Sequence, residues 1–166
     1  MVVGILGLTM ALGFSGCQSE NQKNQDAYRK IGINSMAEGD YDKAVKSFQK
    51  ALDTSLGKIG AEEIDICYYK AAAQFAKKDY DGAIETYTSL IDYDKENANA
   101  YYLRGSVYLD TDKKDKAFKD YKNAVKYAGR EYEIYEGIYE NLTNKGETEE
   151  AKNYLKKALD IKPKDG

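Results

Sequence analysis

Few residues in this chain of 166 residues could do chemistry. The sequence has no histidine and only two cysteines, Cys17 and Cys67. Histidine is the usual general base and the commonest metal ligand. Without it, no nucleophile and base can be paired, so the sequence predicts neither an enzyme nor a cofactor. We expect Cys67 to be a small buried hydrophobic residue, and we expect no disulfide between the two cysteines.

Two short acidic clusters raise the alternative of a calcium site. The clusters are Asp92, Asp94 and Glu96, and Asp110, Asp112 and Asp115. Neither has the glycine or the bidentate glutamate of a calcium-binding loop at the required spacing. We therefore interpret both as solvated turns between helices and predict no metal site.

Cys17 lies at an abrupt change of polarity. Residues 1–16 carry no charge and are rich in Val, Ile, Leu, Met and Phe, whereas the residues directly after Cys17 are polar. This pattern is typical of an export signal, predicted at 1–16, followed by a polar linker at 17–24. The apolar run is shorter than the 18 or more residues that a membrane-spanning helix needs.

The segment Phe14-Ser15-Gly16-Cys17 resembles the lipobox of bacterial lipoproteins. That family prefers leucine where Phe14 stands, and the usual positive charge at the start of the signal is missing. The resemblance implies that Cys17 is lipidated and holds the protein at the extracytoplasmic face of a bacterial cell membrane. An ordinary secretory signal or an uncleaved anchor with an incidental cysteine is the alternative.

The composition of the chain indicates a helical protein without affinity for nucleic acid. Lys+Arg number 25 and Asp+Glu 28, so the net charge of −3 creates no basic surface. There is one proline and there are 16 tyrosines. Scarce proline and many large amphipathic side chains favour a chain made almost wholly of packed helices.

The chain repeats itself at intervals of about 34 residues. The segment 41–48 is echoed by the segment 80–87, and two weaker echoes follow. Each echo carries an alanine and, four residues later, an aromatic residue or leucine: Ala44 and Phe48, Ala83 and Tyr87, Ala117 and Tyr121, Ala151 and Leu155. This spacing keeps the two on one helix face. Asp40 and Asp79 are predicted N-caps, and the longer junction near 56–62 is interpreted as a loop rather than a domain boundary.

This pattern resembles the tetratricopeptide repeat family over about residues 25–166. The resemblance implies an all-α fold, a right-handed alpha-alpha superhelix (solenoid) of about four helical hairpins at 25–58, 64–97, 98–131 and 132–165. Gly32, Ala71 and Gly105 would leave room for the partner helix of each hairpin. Tyr139 stands at the same place in the fourth repeat, so we expect that hairpin to open or rotate.

In that family the first helices of successive hairpins line a concave groove that commonly holds a peptide. By this register the groove residues here are Arg29, Ile33, Tyr68, Ala72, Phe75, Tyr102, Ser106, Leu109, Glu136 and Glu140. We expect the central aromatic residues to anchor a protein or peptide partner, and the two glutamates to select against acidic partners. The alternative is that some of these side chains simply fill space between helices.

The last repeat raises a second functional hypothesis, because repeat arrays usually cover their final apolar face with a cap. The sequence has no extra helix after the fourth repeat. We therefore expect an exposed patch there, made of Tyr154, Leu155, Leu159 and Ile161. The leading hypothesis is a membrane-anchored interaction module that binds its partner in the groove. The alternative is a self-assembling structural lipoprotein subunit of an envelope or secretion complex.

Overall fold

The computed structural model describes residues 20–161, and all regular structure in this range is helical. The helices are α1 Glu20–Ala37, α2 Tyr41–Thr54, α3 Ala61–Ala76, α4 Tyr80–Tyr93, α5 Ala98–Asp110, α6 Lys114–Ala128, α7 Tyr132–Asn144 and α8 Thr148–Ile161. They form four consecutive hairpins, and each helix packs on the next along the chain. The predicted all-α array of four hairpins is confirmed for this range. The predicted signal and Cys17 lie outside the described residues.

All four hairpins turn in the same way. In each turn, the residue directly before the next helix donates its backbone N–H to a carbonyl five residues earlier, for example Asp40 to Ser35 at 2.8 Å and Lys113 to Tyr108 at 2.8 Å. The residue before it has a positive φ. These four residues are Gly39, Lys78, Asp112 and Gly146. This closure satisfies the free carbonyls at a helix C-terminus.

Aspartates directly precede the second helices of the first two hairpins. The Asp40 carboxylate accepts the backbone N–H of Lys43 at 3.0 Å, and Asp79 accepts that of Gly82 at 3.1 Å. Both predicted N-caps are confirmed. Such caps satisfy backbone donors that have no partner within the helix.

Small residues allow the two helices of a hairpin to approach closely. A Cβ atom added to Gly32 would lie 2.5 Å from a ring carbon of Phe48, and one added to Gly105 would lie 2.8 Å from the Tyr121 ring. Both rings are fully buried. Close packing without voids therefore depends on these pairs of a small and a large residue.

The core continues from hairpin to hairpin, including across the longer junction. Phe48 and Ala51 of α2 share one cluster with Ile66 and Ala73 of α3. The junction itself, residues 55–60, is a loop between α2 and α3. The hairpins on both sides of this loop bury one common core.

Three local expectations need correction. Helix α1 begins at Glu20, inside the segment predicted as a linker, because residues 20–24 contain good helix formers and no glycine or proline. Cys67 is half-buried rather than fully buried, since its helix face borders a surface cleft. In the last hairpin, Leu159 is 63% exposed, whereas Tyr154, Leu155 and Ile161 are partly covered, so the expected apolar patch is smaller.

The fourth hairpin lacks the pairing of a small with a large residue. Tyr139 and Leu155 are both large and both remain partly exposed. Between residues 20 and 161, no helix combines the length and the apolar character needed to cross a bilayer.

Candidate functional site

The ten predicted groove residues all lie on α1, α3, α5 and α7. These odd-numbered helices form one layer, in which α1 touches α3 and α5 touches α7. We call the layer's solvent-facing side the groove surface. It is defined by the exposed parts of Arg29, Ile33, Tyr68, Ala72, Phe75, Tyr102, Ser106, Glu136 and Glu140.

Arg29 links α1 to α3. Its Nε donates to Asp65 Oδ2 at 2.9 Å, and its guanidinium lies 5.2 Å from the centre of the Tyr69 ring. The hydrogen bond to Asp65 raises the pKa of Arg29. Asp65 therefore neutralises the cation that the sequence placed in the groove. Beside this pair, a hydrogen bond with Asp26 raises the pKa of Glu62.

Tyr68 links α3 to α5. Its hydroxyl donates to Asn97 Oδ1 at 2.7 Å, and the same oxygen accepts the backbone N–H of Ala100 at 2.9 Å as the N-cap of α5. The Tyr68 ring centre lies 6.4 Å from that of Tyr87. Burial raises the pKa of Tyr68. The hydroxyl thus belongs to the fold, while the half-buried ring keeps part of its face toward solvent.

Tyr102 and Ser106 link α5 to α7. Asn141 Nδ2 donates to Ser106 Oγ at 2.7 Å. Gly137 of α7 has no Cβ, and a Cβ there would overlap the Tyr102 hydroxyl. Burial raises the pKa of Tyr102. These contacts allow α5 and α7 to pack closely beside the Tyr102 ring.

The remaining predicted residues differ in accessibility. Ile33, Ala72 and Phe75 are half-buried, and the Phe75 ring meets Tyr80 edge-on with centres 5.7 Å apart. Leu109 is only 2% exposed, because it packs into the core shared by the last two hairpins. Leu109 therefore does not belong to the groove surface.

The end of the groove surface at α7 is acidic. Glu136 accepts a hydrogen bond from the Tyr132 hydroxyl, and Glu140 is exposed. The surface therefore offers aromatic faces in its centre and carboxylates at one end. Such a surface can bind apolar and cationic groups of a partner.

Sequence reasoning missed a polar contact within the core. Arg104 of α5 donates from Nε and Nη2 to the two carboxylate oxygens of Asp120 at 2.7 and 2.9 Å, and from Nη1 to Thr88 Oγ1 at 2.9 Å. The Asp120 side chain is 5% exposed. The available signal was a charged residue directly before Gly105, where the first and last repeats have isoleucine, but the second repeat has Lys70 at this position, so the signal was weak.

Lysines balance the acidic clusters at the turns. Asp110 pairs with Lys145 at 3.0 Å, and Asp92 pairs with Lys95 at 2.7 Å. Among the residues that the structure describes, no group of three or more Cys, Asp or Glu side chains is placed to hold a metal ion.

Models of one repeat family match most of the chain. A TPR repeat model matches residues 71–112, and two tetratricopeptide repeat models match residues 29–88, and 98–130 with 140–165. No curated protein matches the sequence.

Solved structures share the fold. The crystal structure of MamA is 26% identical, with a TM-score of 0.64 over 83% of this chain and 78% of that one. MamA from Desulfovibrio magneticus RS-1 is 22% identical, with a TM-score of 0.65 over 86% and 76%. YrrB, described as a TPR protein with an unusual peptide-binding site, is 19% identical, with a TM-score of 0.60 over 84% and 69%.

Proposed function

Because this chain belongs to the tetratricopeptide repeat family, we propose that it is a membrane-anchored protein-interaction module without a catalytic role. It binds a peptide or protein segment on the groove surface, and lipidated Cys17 holds it at the outer face of a bacterial membrane. The observation that carries the binding proposal is the row of half-buried aromatic rings on α3 and α5.

The tyrosines of this row are already oriented by contacts within the protein before a partner arrives. The Tyr68 hydroxyl is held by Asn97, and the Tyr102 hydroxyl lies against Gly137. A side chain that is held in place loses less conformational entropy when a partner binds. Partly exposed, rigid tyrosines are typical hot-spot residues.

The charges favour a basic partner segment. Arg29 is paired with Asp65, so the cation on this surface is neutralised, whereas Glu140 is exposed. Carboxylates at one end of the surface attract Lys and Arg side chains and repel acidic ones. We therefore propose a segment with apolar residues for the α3–α5 centre and a basic residue facing α7.

Two further lines support the proposal. YrrB, described as having a peptide-binding site, shares the fold. The anchor rests on the sequence, in which Cys17 follows an uncharged apolar segment and precedes a polar one. Two or more acyl chains make membrane attachment stable.

Tyrosine variants test the groove. Tyr68→Ala and Tyr102→Ala remove the rings, whereas Tyr68→Phe keeps the ring and loses only the hydroxyl. Partner capture from detergent-solubilised membranes should fall in both alanine variants and persist in Tyr68→Phe. Tyr127→Ala, on the even-numbered helix α6, is the matched control. Undiminished capture by both alanine variants, with unchanged circular dichroism, rules out the groove.

Mass spectrometry of the mature N-terminus tests the anchor. The expected product begins at Cys17 and carries acyl chains, and Cys17→Ala should leave the membrane fraction. A mature protein that retains residues 1–16, or an unmodified Cys17, contradicts the anchor.

A further inference from the structure

Three large apolar side chains project into solvent near the start of α1. Leu56 is 75% exposed, Ile59 is 58% exposed and Tyr93 is 56% exposed. Ile59 and Tyr93 border one cleft of about 200 Å³, and Leu56 and Ile59 border the next one, together with Asn21 and Gln22 of α1. The three side chains therefore form one surface, which we call the loop patch.

The loop holds its apolar side chains outward by its own hydrogen bonds. Ser55 Oγ donates to the Leu52 carbonyl at 2.7 Å, and the Lys58 backbone N–H donates to the Ser55 carbonyl at 3.1 Å. Leu56 has a φ of +54°, a region that side chains bearing a Cβ disfavour. Lys78 and Asp112 adopt the same conformation where their helices end, so the positive φ of Leu56 belongs to the end of α2, and its exposed side chain is part of an ordered turn.

Glu63 ties the loop to the first turns of α1. One of its oxygens accepts the backbone N–H of Gly60 at 2.8 Å, and the other accepts Gln25 Nε2 at 2.7 Å. Cys17 precedes Glu20, the first residue of α1, by three positions. Three residues span at most roughly 11 Å. An acyl group on Cys17 therefore brings a bilayer surface close to the start of α1 and to the loop beside it.

We propose that the loop patch is a second membrane contact, in which Leu56 and Ile59 enter the interfacial region of the bilayer and Tyr93 lies at the headgroups. This inference rests on the proposed lipidation of Cys17. Aliphatic side chains gain free energy on entering the boundary between headgroups and acyl chains, tyrosine is enriched at that depth, and the long side chain of Lys58 reaches back toward water.

The surrounding charges specify the kind of lipid. Glu62 and Glu63 lie beside the loop, and Lys58 is the cation within the loop. Asp94 flanks Tyr93, and Asp92 on its other side is paired with Lys95. Such a surface is not drawn to anionic lipid. We therefore expect the contact on zwitterionic phosphatidylcholine, and expect anionic lipid to weaken it.

Single tryptophans test the contact, because the chain has no tryptophan of its own. Leu56→Trp, Ile59→Trp and the matched control Leu159→Trp, at the far end of the array, are prepared as full-length lipoproteins. Each is reconstituted into phosphatidylcholine vesicles with brominated acyl chains. Quenching at positions 56 and 59 should exceed that at 159 by at least about twofold, with emission shifted to the blue, because interfacial side chains reach roughly 5–10 Å into the bilayer.

Each alternative outcome overturns the inference. Equal quenching at all three positions, in protein whose mass shows acylated Cys17, leaves the anchor in place and removes the second contact. If the emission shifts to the blue without quenching, and this shift grows with protein concentration, the patch instead contacts a second copy of the chain. An unmodified Cys17 removes the anchor, and the inference with it.

Discussion

The third and fourth hairpins follow the same plan but bury their second helices to different extents. In α6 the buried residues are Ala117, Asp120, Tyr121, Ala124 and Ala128, whereas in α8 they are Ala151 and Ala158. Helix α6 packs between α5 and α7, whereas α8 packs on α7. The second helix α6 thus has a following hairpin to pack on, which α8 does not have among the described residues, as expected for nearest-neighbour packing in a repeat array.

The pairing of side chains differs as well. In the third hairpin Gly105 meets the fully buried Tyr121, and Arg104 is paired with Asp120. In the fourth, Tyr139 and Leu155 occupy the positions that correspond to Gly105 and Tyr121, and both are partly exposed. Sequence similarity between repeats therefore does not imply equal local stability.

Removing the buried carboxylate should have the largest effect. Asp120→Ala leaves the Arg104 guanidinium buried without its partner, and we expect a loss of about 3–5 kcal/mol in the free energy of unfolding. Urea denaturation measures it. The double variant Arg104→Leu/Asp120→Ala should recover much of the loss, and Glu149→Ala, on the exposed surface of α8, should change little. Equal losses in the single and double variants would contradict this account of the pair.

Alkaline pH should act on the third hairpin through Tyr121. Burial raises the pKa of Tyr121 to about 12, above its value of about 10 in an unfolded chain. A raised pKa of an acid means that its contribution to stability is complete below pH 10 and is lost as the pH rises toward 12. The loss by pH 12 is roughly 2–3 kcal/mol. Tyr121→Phe should flatten the decline in unfolding free energy over this range. Tyr93→Phe, at a half-exposed ring, should not, and equal slopes in both variants would count against the assignment.

Hydrogen exchange compares the two hairpins directly. Because α8 buries fewer residues than α6, its amides should open locally at lower free energy. We expect exchange in α8 to be at least about tenfold faster, which corresponds to about 1.4 kcal/mol. Mass spectrometry of proteolytic fragments measures this, and equal protection of both helices would remove the proposed gradient.

Two glycine substitutions should have the smallest effects on stability, and the two effects should differ. Gly105→Ala forces a Cβ against the buried Tyr121 ring, and the overpacking exceeds the gain in helix propensity by about 1 kcal/mol. Gly137→Ala forces a Cβ against the hydroxyl and two ring carbons of Tyr102, but this half-buried side chain can shift toward solvent, so the loss of stability should be smaller than in Gly105→Ala. Thermal melts of both variants provide the measurement. A larger loss in Gly137→Ala would reverse the predicted order.

The repeat pattern predicted the fold well because it records packing within each hairpin. The spacing from alanine to aromatic residue locates the buried stripe of each second helix, and Asp40 and Asp79 mark where two of those helices begin. The start of α1 was missed because residues 20–24 lack the apolar period on which the helix prediction depended. Lys78 and Asp112 adopt positive φ without being glycine, so the sequence carried little sign of those turns.

The candidate site was harder to predict, because contacts between hairpins decide which side chains are free. The register placed all ten groove residues on the odd-numbered helices. It could not show that Asp65 pairs with Arg29, that Asn97 holds the Tyr68 hydroxyl, or that Leu109 is in the core. The paired residues lie roughly 30 or more residues apart in the chain, and helix periodicity carries no information about contacts over such distances.

By itself the sequence determined a helical repeat protein, because periodic apolar faces at near-constant intervals have to be buried against one another. Only the tertiary structure decided which polar side chains form hydrogen bonds between repeats. It also decided which apolar side chains, such as Leu56 and Ile59, are exposed to solvent beside the start of α1. The physical reason is distance along the chain. Helices and turns depend on residues that are neighbours in the sequence, whereas the exposure of a side chain depends on how hairpins that are far apart in the sequence pack together.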